Sequence, residues 1–276
     1  MLSPVIQEEK ATYGSPDYDR LWKKLISELF EEFILFFAPF LHEKINFSKE
    51  VTFLQQDFFQ EILDYRSNRS YAVLVIKVPL VNGNEKWLLI HIEINGKADR
   101  AFRKQMFRYF YRIYDKYDRE IYAIAILTNS KGNRRQNYFD YHYYGTSIIY
   151  HYHVYNYLEQ DIHELQKSSN PFSAAVLAGI YANETKNNDL KRYILKRKLM
   201  VQVLRHFSQQ KDKSKQYLSS LFYFIDYLLP TREELQSILT EELSNLVGMG
   251  GADKINFDIS EFFPTSTGNL DKFKKH

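Results

Sequence analysis

The chain has no cysteine, which excludes disulfides and thiolate metal sites, so any zinc site would rest on His and carboxylates alone. It has little net charge either. With 37 Lys and Arg against 34 Asp and Glu the balance is +3, so affinity for a polyanion has to come from local clusters of cations. Long apolar runs are missing too. The greasiest stretch, residues 29–41, carries Glu31, Glu32 and Pro39 and falls short of the ~20 apolar residues a spanning helix needs, so it reads as core and no membrane partner is expected. Met1 to Lys10 holds no basic start ahead of an apolar run, unlike a secretion signal, and the expected location is cytoplasmic. No fixed-period repeat is present.

The chain is rich in aromatics, with 22 Tyr and 21 Phe, which supply large core groups and also platforms on which bases can stack; the core explanation is favoured. At 276 residues it is long enough for one large domain or two modest ones.

Ser15-Pro16-Asp17 is a cap-like start, and Leu21, Trp22, Leu25, Leu29, Phe33, Phe36 and Phe37 follow at helical spacing, so a helix is predicted that ends before Pro39. Phe53, Leu54, Phe58, Ile62 and Leu63 predict a second helix over 49–64. The period then changes. Two apolar, β-branched runs, 71–78 and 86–94, flank Asn82-Gly83-Asn84 and predict a hairpin. A helix over 99–117, a buried strand over 121–128 and an edge strand over 144–157 follow. From Pro171 onward the pattern is helical, with helices over 172–182, 190–207, 217–229 and 232–246, broken at 248–251. The expected class is therefore α/β: a mixed sheet flanked by helices over 1–168, an appended helical region over 169–248, and a mobile tail over 249–276.

Within the second hairpin strand, Trp87-Leu-Leu-Ile-His-Ile-Glu-Ile-Asn95, one carboxylate stands in an almost wholly apolar run, with His91 and Asn95 on its face by two-residue alternation. An ionised carboxylate is costly to bury alone, so Glu93 should meet a cation, accept several hydrogen bonds, or lie where the sheet opens to solvent. A divalent metal at a phosphodiester site satisfies it; pairing with Lys77 or Lys97 is the plainer alternative, and the residues by themselves leave the two about even. His91 reads as a hydrogen-bonded structural residue. A second feature is Arg100, Lys104, Arg108, Arg112 and Lys116, a basic row at i, i+4 spacing suited to DNA phosphates, or, with Asp99, Asp115 and Asp118 nearby, to an ordinary salt-bridged face. Lys191, Arg192, Lys196, Arg197 and Lys198 form another cluster open to the same two readings.

The order helix, Glu-bearing hairpin, helix, strand resembles the PD-(D/E)xK restriction-endonuclease-like core. More specifically, the chain is similar to the recombination-promoting nuclease family, also described as transposase-like. The likeness is carried by Leu29-Phe-Glu-Glu-Phe33, the run from Trp87 to Asn95, the run from Met106 to Tyr117 and Ile124-Ala-Ile-Leu-Thr128, and it spans roughly 17–229. The resemblance implies Mg²⁺-dependent DNA endonuclease chemistry, with an Asp on the first hairpin strand and Glu-x-Gln on the second. Here Glu93 stands at the Glu, and implied metal-ligand, position; Asn95 stands at the Gln position and Val73 at the Asp position. Val73 cannot ligate a metal, and Asn95 is one methylene shorter than Gln. Replacement carboxylates are sought in Asp57 or Glu32, and behind them in Glu31, Glu61 and Asp99.

The expectation is a DNA endonuclease-family protein with weak or absent hydrolysis. The alternative is a non-catalytic DNA-binding or protein-interaction module on the same fold. DNA is the expected partner, with a second copy of the chain or an intact family member as the protein partner. Register supplies a test: a three-residue loop at 82–84 sets Val73 opposite Glu93, whereas a two-residue loop pairs Glu93's neighbour Ile92 with Val73.

Overall fold

The structure, a computed structural model, describes residues 16–54, 71–93, 99–128, 137–208 and 215–248, with backbone alone at 16–19, 71–73, 87–93, 208, 215–216 and 247–248. The expected tail over 249–276 lies outside the described residues.

Helices α1 (Pro16–Glu28) and α2 (Phe30–Phe37) replace the single predicted helix. Leu29 leaves helical geometry at φ −123° and ψ 39°, although hydrogen bonds from Leu29 N to Leu25 O and from Phe33 N to Leu29 O carry the ladder across the break. The apolar positions explain the kink. At 100° per residue the stripe Leu21, Trp22, Leu25, Ile26 and the stripe Phe30, Phe33, Ile34, Phe37 are offset by about a quarter of a turn, and the kink turns both toward the core. Pro39 then opens a short helix, α3 (Pro39–His42).

The second predicted helix is overturned at its start. Thr52–Phe53 is strand β1, paired antiparallel with Lys77 and Ile76, and Leu54 N donates to Val75 O. β-Branched Val51 and Thr52 suit that extended edge, and the Phe53 ring meets Phe30 edge-on at 5.8 Å. Residues 55–64 lie outside the described residues.

Strands β2 (Tyr71–Pro79) and β3 (Glu85–Glu93) form the expected hairpin. Helix α4 (Arg100–Tyr117), capped by Asp99 Oδ1 accepting from Phe102 N at 2.9 Å, crosses over to β4 (Ile121–Leu127), which lies parallel to β3. The strand expected over 144–157 is broken at Tyr152. Its first part, β6 (Thr146–His151), pairs with the unforeseen β5 (Tyr138–Tyr143) in a separate two-stranded ribbon. Its second part, β7 (His153–Asn156), is the edge strand, parallel to β4. The main sheet runs β1-β2-β3-β4-β7.

Alternation splits the apolar content between two layers. Leu74, Ile76, Val78, Ile124 and Ile126 face one core, with Trp22, Phe33 and the C-terminal helices; Val75, Ala123, Ala125 and Leu127 face a second, with Phe102, Met106, Tyr109 and Ile113 of α4 and with Phe139 and Tyr150 of the ribbon. The fold is thus a mixed α/β arrangement with helices on both faces of the sheet.

After α5 (Ile162–Lys167) come α6 (Pro171–Glu184), α7 (Asp189–Ser208), α8 (Lys215–Leu228) and α9 (Glu233–Gly248). Every residue of α6 from Pro171 to Ala182 is buried, so it is a central helix, and the boundary expected at residue 168 falls inside one continuous core. No helix among the described residues is long and apolar enough to cross a membrane.

Candidate nucleic-acid interface and the Glu93 row

The hairpin loop decides what faces Glu93. Leu80 N donates to Asn84 O at 2.8 Å, Gly83 N donates to Leu80 O at 3.0 Å, and Gly83 sits at φ +84°. A three-residue loop of this kind ends on a left-handed residue, so glycine must be third and the loop is Val81-Asn82-Gly83, one position earlier than expected. That single step moves the pairing by two residues. Tyr71 is opposite Glu93, and Val73 is opposite His91, which overturns both registers considered from the sequence. Position 73 is therefore only a diagonal neighbour of Glu93.

Across the sheet at this level the row reads Tyr71, Glu93, Leu127, Asn156. It lies at the carboxyl ends of the parallel strands β3, β4 and β7, the edge where open α/β sheets present ligand sites. Leu127 is buried, and Asn156 is engaged locally, accepting from Leu158 N and donating to Glu159, both at 3.1 Å. Among the described residues no second carboxylate occupies the row.

The other proposed ligands divide in the same way. Asn95, Asp57 and Glu61 lie outside the described residues. Asp99 Oδ1 is occupied as the cap of α4, and Glu31 pairs with His42 Nε2 at 3.1 Å. Glu32 lies with the helical layer: its backbone carbonyl accepts from Asn170 Nδ2 at 3.0 Å, and its charge adds to the burial that raises the pKa of Tyr217. Among the described residues no group of three or more His, Asp or Glu is arranged to hold a metal. Among the described residues the row offers one carboxylate position, Glu93, where a Mg²⁺ held by two would need another. Of the plainer partners for Glu93, Lys77 pairs with Glu85 at 2.6 Å, and Lys97 lies outside the described residues.

The basic row takes a more specific form in the structure. Arg100, Lys104, Arg108 and Lys116 are exposed and Arg112 is half-buried, on a helix that begins at the Glu93 end of β3. Steps of four residues advance about 6 Å but also turn about 40°, so the five cations wind about 160° around α4. Arg100 and Lys104 point opposite the buried stripe of Phe102, Met106, Tyr109 and Ile113, Arg108 stands to one side, and Arg112 reaches the flank. Asp115 lies among them and is also exposed. A single flat duplex therefore meets the first three cations together rather than all five.

The second cluster is structural at its centre. Lys196 is 1% exposed and pairs with Asp226 at 2.6 Å. Arg192 donates to the carbonyls of Thr185, Lys186 and Pro230 and pairs with Asp189, while Lys191 pairs with Glu184 and Arg197 with Glu242.

The β5–β6 ribbon was not foreseen, although its signal was present in the density of Tyr and Phe and in Tyr144-Gly145. It lies against α4, with Phe110 and Phe107 packed on Tyr150 at 4.6 and 5.9 Å. Burial raises the pKa of both Tyr150 and Tyr152, Tyr152 adding to the effect on Tyr150 and Arg103 pulling Tyr152 back. An open depression lined by Asn82, Glu85, Lys86, Asp118 and Arg119 lies at the far end of β3, where Lys86 pairs with Glu120. Comparison with protein-family models, with curated proteins and with solved structures finds no match.

Proposed function

We propose that this chain is a DNA-binding protein of the recombination-promoting nuclease type, on a PD-(D/E)xK-like sheet, that holds DNA without cutting it by the two-carboxylate route. One observation carries the reading: an exposed cation rail on the crossover helix that starts where the Glu93 strand ends. Arg100, Lys104 and Arg108 neutralise phosphates, and the buried face of α4 fixes their direction.

Phosphodiester hydrolysis needs a positioned water and neutralised phosphoryl oxygens, and Mg²⁺ supplies both when it is bound. Glu93 offers one carboxylate position, Tyr71 stands opposite it, and Val73 has no donor atom to give. What remains is electrostatic contact between the α4 cations and DNA phosphates rather than strand scission.

The test pairs a supercoiled-plasmid nicking assay, with Mg²⁺ or Mn²⁺, with an electrophoretic binding assay on the same DNA. The native chain is expected to bind and not to nick. Neutralising three phosphates should give a slope of about −2.7 in log affinity against log salt, which the triple variant Arg100→Ala, Lys104→Ala, Arg108→Ala should flatten. Nicking by the native chain that disappears in Glu93→Ala would mean that another ligand completes the site; absence of binding at low salt would remove the DNA reading. Of the two revertants, the register favours Tyr71→Asp with Asn95→Gln over Val73→Asp with Asn95→Gln, because a directly opposed pair is about 5 Å apart and a diagonal one about 7–8 Å.

A further inference from the structure

Two stacks of aromatic rings leave the α4–ribbon interface and end in solvent. In the first, Phe139, Phe107 and Tyr111 follow one another at 4.9 and 6.4 Å with interplanar angles of 12° and 23°. In the second, Tyr150, Phe110 and Tyr114 follow at 4.6 and 5.9 Å, at 29° and 17°. The terminal rings, Tyr111 and Tyr114, are 54% and 49% exposed. The ribbon continues the same apolar face: Phe139 is opposite Tyr150, and two residues along, Tyr141 is opposite Ile148, both exposed.

Helical phase places these rings beside the cations. At 100° per residue, Phe110, Tyr114, Phe107 and Tyr111 fill an arc of about 100° that Arg100 enters and that Lys104 and Arg108 continue, so aromatic and cationic residues adjoin and interleave along α4, with Tyr111 in phase between Arg100 and Lys104. Paired bases keep their faces within the duplex stack, whereas unpaired bases can lie on a protein ring while the phosphates stay outside. Charge complementarity and open ring ends therefore select one occupant.

We infer that α4 and the β5–β6 ribbon form a binding site for single-stranded DNA, in which two bases extend the stacks ending at Tyr111 and Tyr114 and the backbone follows Arg100, Lys104 and Arg108. The inference rests on the DNA reading above and sharpens it to an unpaired strand.

Fluorescence anisotropy on the full chain compares oligothymidylate, a duplex of the same length and an abasic strand at one salt concentration. The native chain should prefer oligothymidylate to the abasic strand. Replacing both rings, Tyr111→Ala with Tyr114→Ala, should weaken oligothymidylate on the order of tenfold per ring and leave the duplex within about twofold. Tyr111→Phe with Tyr114→Phe should bind as the native chain does. If the alanine pair lowers the melting temperature, Tyr111→Leu with Tyr114→Leu keeps the bulk without the π-face and should show the same loss. Unchanged oligothymidylate binding in both ring-less variants overturns the inference, as does equal affinity for the abasic strand. A shift from dimer to monomer with unchanged DNA binding would make the surface a self-contact and also overturn it. Salt-dependent duplex binding beside either result leaves the broader DNA reading standing; no binding to any of the three removes both.

Discussion

Lys196 carries a charge into a position that is 1% exposed, where Asp226 lies at 2.6 Å and Gln236 at 2.7 Å. Burial holds its pKa below the ordinary lysine value, and Asp226 pulls it back up. The pair links α7 to α8, and Gln236 brings in α9. Removing one partner of such a pair leaves the other charge buried and uncompensated, whereas removing both leaves an apolar contact. Asp226→Leu is expected to lower stability by about 3–5 kcal/mol in urea unfolding, and adding Lys196→Met should recover most of the loss. A double variant as weak as the single one would show that Gln236 and Thr231, whose hydroxyl accepts from Lys196 Nζ at 3.4 Å, hold the ammonium rather than Asp226. The sequence shows Lys196 only as one of five neighbouring cations, because helical phase reveals a residue's face but not the carboxylate that another helix brings to it. Glu93 is the opposite case. Its isolation in an apolar strand marked it directly, while the identity of its cross-strand neighbour hung on a loop one residue out of place.

The β5–β6 ribbon packs on α4 through Phe139 and Tyr150 and leaves nine of its twelve residues exposed. Its two-residue turn, Tyr144-Gly145, has both residues at positive φ, +41° and +85°, and Tyr144 is 93% exposed. Glycine suits that geometry and a bulky L-residue does not. Tyr144→Asn is expected to raise stability by about 0.5–1 kcal/mol, read as a higher midpoint in thermal unfolding. A lower midpoint would mean that the Tyr144 ring, 4.6 Å from Tyr143 and edge-on to it, stabilises the turn more than its backbone strains it. The same local chemistry explains which elements were readable in advance. The β2–β3 hairpin, α4 and β4 announce themselves by a clean period and by caps such as Asp99. The β6–β7 segment does not, because Tyr and Ile occur on both of its faces and its two halves belong to different sheets: Tyr152 N still donates to the Asn137 carbonyl at 3.0 Å in the ribbon's register, and the pairing with β4 begins at His153.

For the molecule as a whole, the question is whether the helices after residue 168 are an addition or a necessity. Period identifies the apolar side of each element but not which elements share a core, and α6, buried all round, has no side to identify. The packing is specific on this point. Trp22 meets Phe172 at 6.4 Å and Phe224 edge-on at 5.0 Å, Phe33 meets Phe172 edge-on at 5.3 Å, and a β-carbon added at Gly179 would lie 2.6 Å from the buried Tyr157 ring. Without α6 and α8, the helices α1 and α2 would lose the layer that Trp22 and Phe33 pack against, and the core that they share with Leu74, Ile76, Val78, Ile124 and Ile126 would open to solvent. An exposed apolar surface of that extent does not support a cooperative fold. Residues 1–168 expressed alone should therefore show no cooperative urea transition and should bind a hydrophobic dye, while the full chain unfolds in a single step that different probes report alike. A sharp transition for 1–168, with the near-ultraviolet dichroism of packed aromatics, would make the sheet and its N-terminal helices an independent domain. The C-terminal helices would then be free to act as a separate interaction module.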